Sequence, residues 1–250
     1  MLKRLYFIFL LYTLFVSKTL IGKEITKQNL LWFAYFNTIE FKPKWSTTFD
    51  VQERIFTDKL KQHQLVFRGQ LNFKLPKQWF VSAGFTYFLQ SPHDPYSTST
   101  LMIPELRPHI QFSNRNDVTE KLFLQHQYRV GKRFFRNTAD NELISGFSTN
   151  FRFRYQISFN YVVFSINNKP VTLRLNNEIH VNAGKTIVNN VFDQNRIYIG
   201  MNFKISAKYF ASISSKVLRN SLSTSSTAQI SSFLKQGITI SDNEALLQAI

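Results

Sequence analysis

Apolar and polar residues alternate over much of this chain, and the stretch Gln64 to Leu75, QLVFRGQLNFKL, shows the pattern most plainly. Leu65, Phe67, Gly69, Leu71, Phe73 and Leu75 share one parity. Gln64, Arg68, Gln70, Asn72 and Lys74 share the other, and only Val66 breaks it. Strand side chains point alternately to opposite faces, so the stretch predicts a strand with one apolar and one polar face.

The same code recurs along the chain. Leu31 to Phe41 is almost wholly aromatic and β-forming, and Pro43 breaks it before the next strand. There Trp45, Thr47, Phe49, Val51 and Ile55 oppose Ser46, Thr48, Asp50, Gln52 and Arg54, with Glu53 out of step. Trp79 to Phe88 alternates in the same way. The two prolines and several hydroxyl residues of Gln90 to Thr100 predict a longer loop. Glu105, Arg107, His109 and Gln111 then alternate with Leu106, Pro108, Ile110 and Phe112; Pro108 within this run predicts an edge, a bulge or a missing ladder bond. From Lys121 to Phe135 the polar parity holds Gln125, Gln127, Arg129 and Arg133, and Asn137 to Asn141 reads as a second polar loop. Clean alternation returns from Phe147 to Phe159 and from Val171 to Val181. It continues from Gln194 to Ile205, with a shorter strand from Lys208 to about Ser214. About ten segments result, each near the roughly ten residues a tilted membrane strand needs.

Composition narrows the partners. Lys+Arg 31 against Asp+Glu 15 gives a net charge of +16, which on its face suits nucleic acid. The basic and aromatic residues fall on opposite strand faces, which defeats a base-stacking platform, so no nucleic-acid partner is expected. There is no cysteine, hence no disulfide, thiolate metal site or lipidated cysteine. Phe 26, Tyr 10 and Trp 3 are a heavy aromatic load for a mean hydropathy of -0.18, as expected of a surface apolar on alternate residues only.

Lys3 and Arg4 followed by the apolar run Leu5 to Val16 match an export signal, too short to span a bilayer. The expected organisation is a signal peptide over residues 1–22, a barrel domain over 23–214 and a divergent segment over 215–250, where serine and threonine take over. The competing reading of the start is a buried helix.

A sheet with one apolar face closes in two ways. A soluble lipocalin-like barrel turns that face inward to an apolar ligand, whereas an outer-membrane barrel turns it outward to lipid. The outer-membrane reading is preferred. The polar parity carries Arg54, Arg68, Arg107, Arg129, Arg133, Arg152, Arg154, Arg174 and Arg196 together with Asp50, Glu105 and Glu178, a set that can satisfy itself in a lumen. Trp32, Trp45, Trp79 and Tyr87 sit near strand ends, where interfacial girdles form.

Several segments also resemble a known family: WFAYF near the start, QERI at Gln52 to Ile55, PELRPHIQF at Pro104 to Phe112 and LQHQYRVGKRF at Leu124 to Phe134. FRFRYQI at Phe151 to Ile157 and NNEIHVN followed by FDQNRIYIGMNF complete the set. Together they resemble the domain-of-unknown-function family 2490 over roughly Leu30 to Ile213, most specifically in Asp193, Gln194, Asn195 and Arg196 with Tyr198 and Gly200. The resemblance implies an outer-membrane barrel of a Gram-negative bacterium and supplies no activity. Family members end in strands with a terminal aromatic, which the barrel-assembly machinery reads; this chain ends LLQAI at Ile250. The segment after Ser214 is therefore expected to be divergent or frame-shifted, which puts barrel closure and assembly in question.

The expectation is thus an all-β, antiparallel up-and-down transmembrane barrel of about 10 to 12 strands. Its partners would be outer-membrane lipid, the assembly machinery and a small anionic solute. Its lumen would be lined by Arg54, Arg68, Arg107, Arg129, Arg152, Arg154, Arg174, Glu178 and Arg196. These arginines could draw anions through a pore, or pair with Asp50, Glu105 and Glu178 as a plug, which the small size favours. A lipid-acting hydrolase is the remaining class. His126 alone of the histidines lies on the apolar parity, but no serine is paired with it locally, so no catalytic residue is assigned. The other histidines have no metal-site spacing, and neither a phosphate loop nor a dinucleotide fingerprint is present, so no cofactor is expected.

Overall fold

The computed structural model describes residues 24–185, 187, 191–204, 210–220 and 227–235. All of the regular structure there is strand. The strands are β1 (Glu24–Lys42), β2 (Trp45–Phe56), β3 (Gln62–Lys74), β4 (Trp79–Gln90), β5 (Ile103–Asp117), β6 (Leu122–Ala139), β7 (Glu142–Ile166), β8 (Lys169–Ala183), β9 (Phe192–Lys204), β10 (Phe210–Asn220) and β11 (Thr227–Lys235). The signal-peptide expectation lies outside the described residues.

From β1 to β10 each strand pairs antiparallel with the next in one curled sheet. β11 pairs antiparallel with β10 and parallel with the first residues of β1, closing the ring. That parallel seam departs from the all-antiparallel expectation. An odd number of alternating strands brings the last one back in the direction of the first. β10 also continues past Ser214, where the change of character was expected, to Asn220.

The two ends differ. Tight connections at 43–44, 75–78, 118–121 and 167–168 share one end; 57–61, 91–102 and 184–191 share the other, with the start of β1. Asn167 and Asn168 both have positive φ (49° and 61°), the left-handed pair that a two-residue hairpin requires. Asp140 and Asn141 repeat this geometry (49° and 63°). The expected polar loop Asn137 to Asn141 is therefore the tip of a long hairpin. The polar residues misled because a bulge between Arg136 and Thr138 resets the register without ending the strands. Loop 91–102 packs against this tip through the Ser99 hydroxyl, which donates to the Asn141 side-chain oxygen.

Alternation sorts the faces cleanly. On β5, Glu105, Arg107, His109, Gln111 and Ser113 are buried while Ile110 and Phe112 stand exposed. Pro108 gives the predicted local gap: its β4 pairing is kept, but the β6 register skips Arg107 and Pro108. Across the described residues, large exposed hydrophobics outnumber buried ones several-fold, and the buried set is mostly polar. The sheet is thus apolar outside and polar inside, the reverse of the interior a lipocalin-like ligand barrel needs. The soluble apolar-ligand alternative is corrected on that ground.

The apolar exceptions inside lie toward both ends, with Phe80 and Phe123 near the tight turns and a larger layer at the loop end. Leu30 faces Phe56 across β1 and β2, and Val66 faces Phe88 across β3 and β4, all on the inner wall. Val66 interrupts the polar parity because it belongs to this layer. Trp32 belongs there too: it is 7% exposed and points inward, so its expected place in an outer girdle is corrected. Trp45 and Trp79 do face outward, both beside the tight-turn end.

Candidate functional site: the lumen network

Strand parity aims a row of long polar side chains at the barrel axis, and their pairing follows from cross-strand register. Glu105 on β5 is, like Asp50, almost fully enclosed. Arg133 on β6 grips it with two hydrogen bonds, Nε to Oε1 at 2.7 Å and Nη2 to Oε2 at 2.9 Å. Arg107, two residues along β5, donates its Nε to the same carboxylate at 2.8 Å. Both guanidiniums also lie over rings, Arg107 at 4.3 Å from Phe88 and Arg133 at 4.2 Å from Phe135. Cationic planes stack well on aromatic faces, so the end layer and the ion network support each other.

A second cluster centres on Glu178 of β8. His180 Nε2 lies 3.0 Å away, Arg196 of β9 3.5 Å and Arg154 of β7 3.9 Å. Arg196 also donates to the Gln194 side-chain oxygen at 2.9 and 2.7 Å. Asp193 takes Arg152 Nη2 at 2.8 Å and the Asn182 amide at 3.0 Å, while Arg152 Nε donates to Asn182 Oδ1 at 3.0 Å. A third group runs along β2. Gln52 donates to Asp50 at 2.7 Å, Arg68 approaches Asp50 at 3.5 Å, and Arg54 reaches the oxygens of Gln52 and Gln64. Arg54 also stacks 3.8 Å above Trp32. Arg129 donates to Gln111, and Arg174 reaches the Ser158 hydroxyl at 3.3 Å.

All nine sequence-named lumen residues lie on the inner wall; seven fall in three groupings, while Arg129 and Arg174 take the neutral partners Gln111 and Ser158. Glu178 collects Arg154 and Arg196, Arg107 joins Arg133 on Glu105, and Arg54 and Arg68 share the Asp50 region. Sequence reasoning missed Asp193, whose parity opposes that of Arg196. A bulge between His180 and Val181 shifts the β8 and β9 register there, leaving Asp193 beside the inner row. Parity alone carries no signal of such a bulge. Asp50, Glu105 and Glu178 serve as the carboxylate partners expected of them.

His126 lies on the outer face, where its Nδ1 is 3.0 Å from the Tyr155 hydroxyl and its ring stacks at 6.2 Å. Its hydrogen-bond partner is a tyrosine, which orients the ring without supplying a nucleophile. Among the described residues no group of three or more His, Cys, Asp or Glu side chains could hold a metal. Outside the strands, His93 in loop 91–102 is exposed on one side, and the protein atoms around its ring, His63 at 5.9 Å among them, hold the imidazole below its ordinary pKa by partial desolvation. Its Nε2 meets the Gln90 amide at 2.9 Å.

Residues 29–220 match the family model described as "Protein of unknown function (DUF2490)". The chain belongs to that family. The match runs from β1 to the last residue of β10, so the family unit contains the whole network just described. No curated protein and no solved structure matches the chain.

Proposed function

We propose that this DUF2490 protein is an outer-membrane β-barrel with a structural or transport-like role, exported by its N-terminal signal. Its arginine-rich interior serves first as a plug, and any solute path through it favours anions. The observation that carries the reading is the inverted distribution of side chains. Phe49, Phe67, Phe85, Phe112, Phe151, Phe153, Leu175 and Ile199 are all exposed on one face, while Asp50, Glu105, Arg107 and Arg129 are buried on the other. In water such an apolar belt far exceeds what a soluble monomer tolerates; against acyl chains it is the favourable arrangement.

Two features agree with it. Trp45 and Trp79 lie outward at the tight-turn end, and exposed Lys42, Lys44, Lys74, Lys77, Lys121 and Lys169 ring the same rim. Aromatics followed by lysines suit the passage from hydrocarbon to lipid headgroups. The strands also meet or exceed the length of a tilted span, with β11 the shortest at 9 residues.

The test is recovery in the outer-membrane fraction with heat-modifiable migration on a gel, followed by reconstitution in planar bilayers. The plug predicts no conductance steps, and steps with anion preference would convert the role to a pore. Recovery of the folded protein in the soluble fraction would refute the membrane reading.

A further inference from the structure

Charge on the inner wall does not balance. Among the described residues, Arg54, Arg68, Arg107, Arg129, Arg133, Arg152, Arg154, Arg174 and Arg196 share that interior with only four carboxylates, Asp50, Glu105, Glu178 and Asp193. β10 and β11 cannot redress this, because neither strand contains an Asp or a Glu.

Part of the surplus falls on one register pair. Arg129 of β6 and Arg154 of β7 are direct register partners, on the inner wall. Side chains so placed leave the backbone about 5 Å apart, and like charges there repel. The acceptor of Arg129 is the neutral oxygen of Gln111, with no carboxylate within 4.0 Å among the described residues. Arg154 has only the 3.9 Å approach to Glu178, which His180 and Arg196 already occupy more closely. Arg68 and Arg54 each carry a buried Nε without a hydrogen bond, that of Arg68 lying 3.5 Å from Asp50.

We propose that Arg129 and Arg154 form an anion-binding site on the inner wall, occupied by a small inorganic oxyanion of the phosphate or sulfate class. Guanidinium forks present paired N–H donors at the spacing of oxyanion oxygens, and an anion between Arg129 and Arg154 turns their repulsion into bridging. The inference rests on the inner-wall arrangement of the proposed barrel and not on its cellular location.

The test uses full-length protein folded in detergent micelles, with folding verified by heat-modifiable migration so that a failure of the barrel itself is recognised separately. Phosphate is titrated at constant ionic strength while the melting temperature and the phosphorus NMR linewidth are followed. The site predicts a saturable rise in melting temperature with line broadening, and at least tenfold weaker binding in Arg129→Gln. Arg115→Gln, on a half-buried rim arginine paired with Asp117 at 2.7 Å, should bind as the parent does. Should Arg129→Gln not fold, the parent's phosphorus spectrum decides alone. A narrow, unchanged line in the folded parent, or equal binding by parent and folded Arg129→Gln, would overturn the proposal.

Discussion

Arg133 and Glu105 face each other across β5 and β6 in a two-point clasp, with Nε to Oε1 at 2.7 Å and Nη2 to Oε2 at 2.9 Å. Both side chains are nearly withdrawn from solvent, at 10% and 3% exposure. Removing one partner of a buried pair leaves the other charge stranded, typically at about 3–5 kcal/mol. Glu105→Gln strands two guanidiniums, Arg107 as well as Arg133, and is expected to fall in that range. Arg133→Gln leaves Arg107 on the carboxylate and should cost less. Urea unfolding of the two variants in lipid vesicles gives the comparison, and an equal or reversed order would contradict the shared-carboxylate arrangement.

Two glycines of neighbouring strands separate steric from propensity effects. A Cβ at Gly84 would lie 2.5 Å from both the Gln70 Cβ and the Gly69 carbonyl oxygen, whereas at Gly69 nothing stands within 4 Å. Gly84→Ala must push β3 and β4 apart and should cost about 1–3 kcal/mol, the range for overpacking. Gly69→Ala removes backbone freedom from the unfolded chain and should stabilise by about 0.5–1 kcal/mol. Equilibrium unfolding reads both, and destabilisation by Gly69→Ala would count against its outward, open setting.

Loop 91–102 should respond to acid through His93. Partial desolvation lowers the folded-state pKa of this imidazole although one side stays exposed, so the unfolded or opened loop binds the proton more readily. The sign follows: the contribution to stability is full above the ordinary imidazole range and is lost as pH falls through it toward the lower folded value. Amide protection factors of residues 94–101, corrected for the intrinsic exchange rate, should therefore fall on acidification, and His93→Gln should flatten that pH dependence. A fall of the same size in the variant would assign the effect to another group.

Arg54 lies 3.8 Å above the Trp32 ring, inside the barrel. Trp32→Ala removes that ring and opens a cavity beside the Leu30 and Phe56 layer, so a loss of about 3–5 kcal/mol is expected in denaturant titrations. An outward, girdle-type tryptophan would cost much less. The fluorescence of Trp32 should also resist quenching by brominated lipid, unlike Trp45 and Trp79.

Alternation made the faces legible, because a period of two is written into Phe67 next to Arg68 and Phe151 next to Arg152 without help from tertiary contacts. The arginine set was readable for the same reason. What the residues could not reveal was register. The bulge that turns Asp193 toward the lumen changes pairing by one position and the one that extends the hairpin beyond Asn137 by two, which no hydrophobic period records. The inward turn of Trp32 was hidden differently: an aromatic near a strand end fits a girdle or a plug equally well until its neighbours Arg54 and Phe56 are placed around it.

Because the chain has no cysteine, single substitutions can report side-chain environment one position at a time. The most direct test of the inside-out barrel is Phe67→Cys, Phe151→Cys and Ile199→Cys against Thr86→Cys, each carrying a small fluorophore in liposomes made with brominated lipid. Strong quenching at positions 67, 151 and 199 with a protected label, or no labelling, at 86 is the predicted result. Quenching at 86 with 67, 151 and 199 shielded would contradict the account.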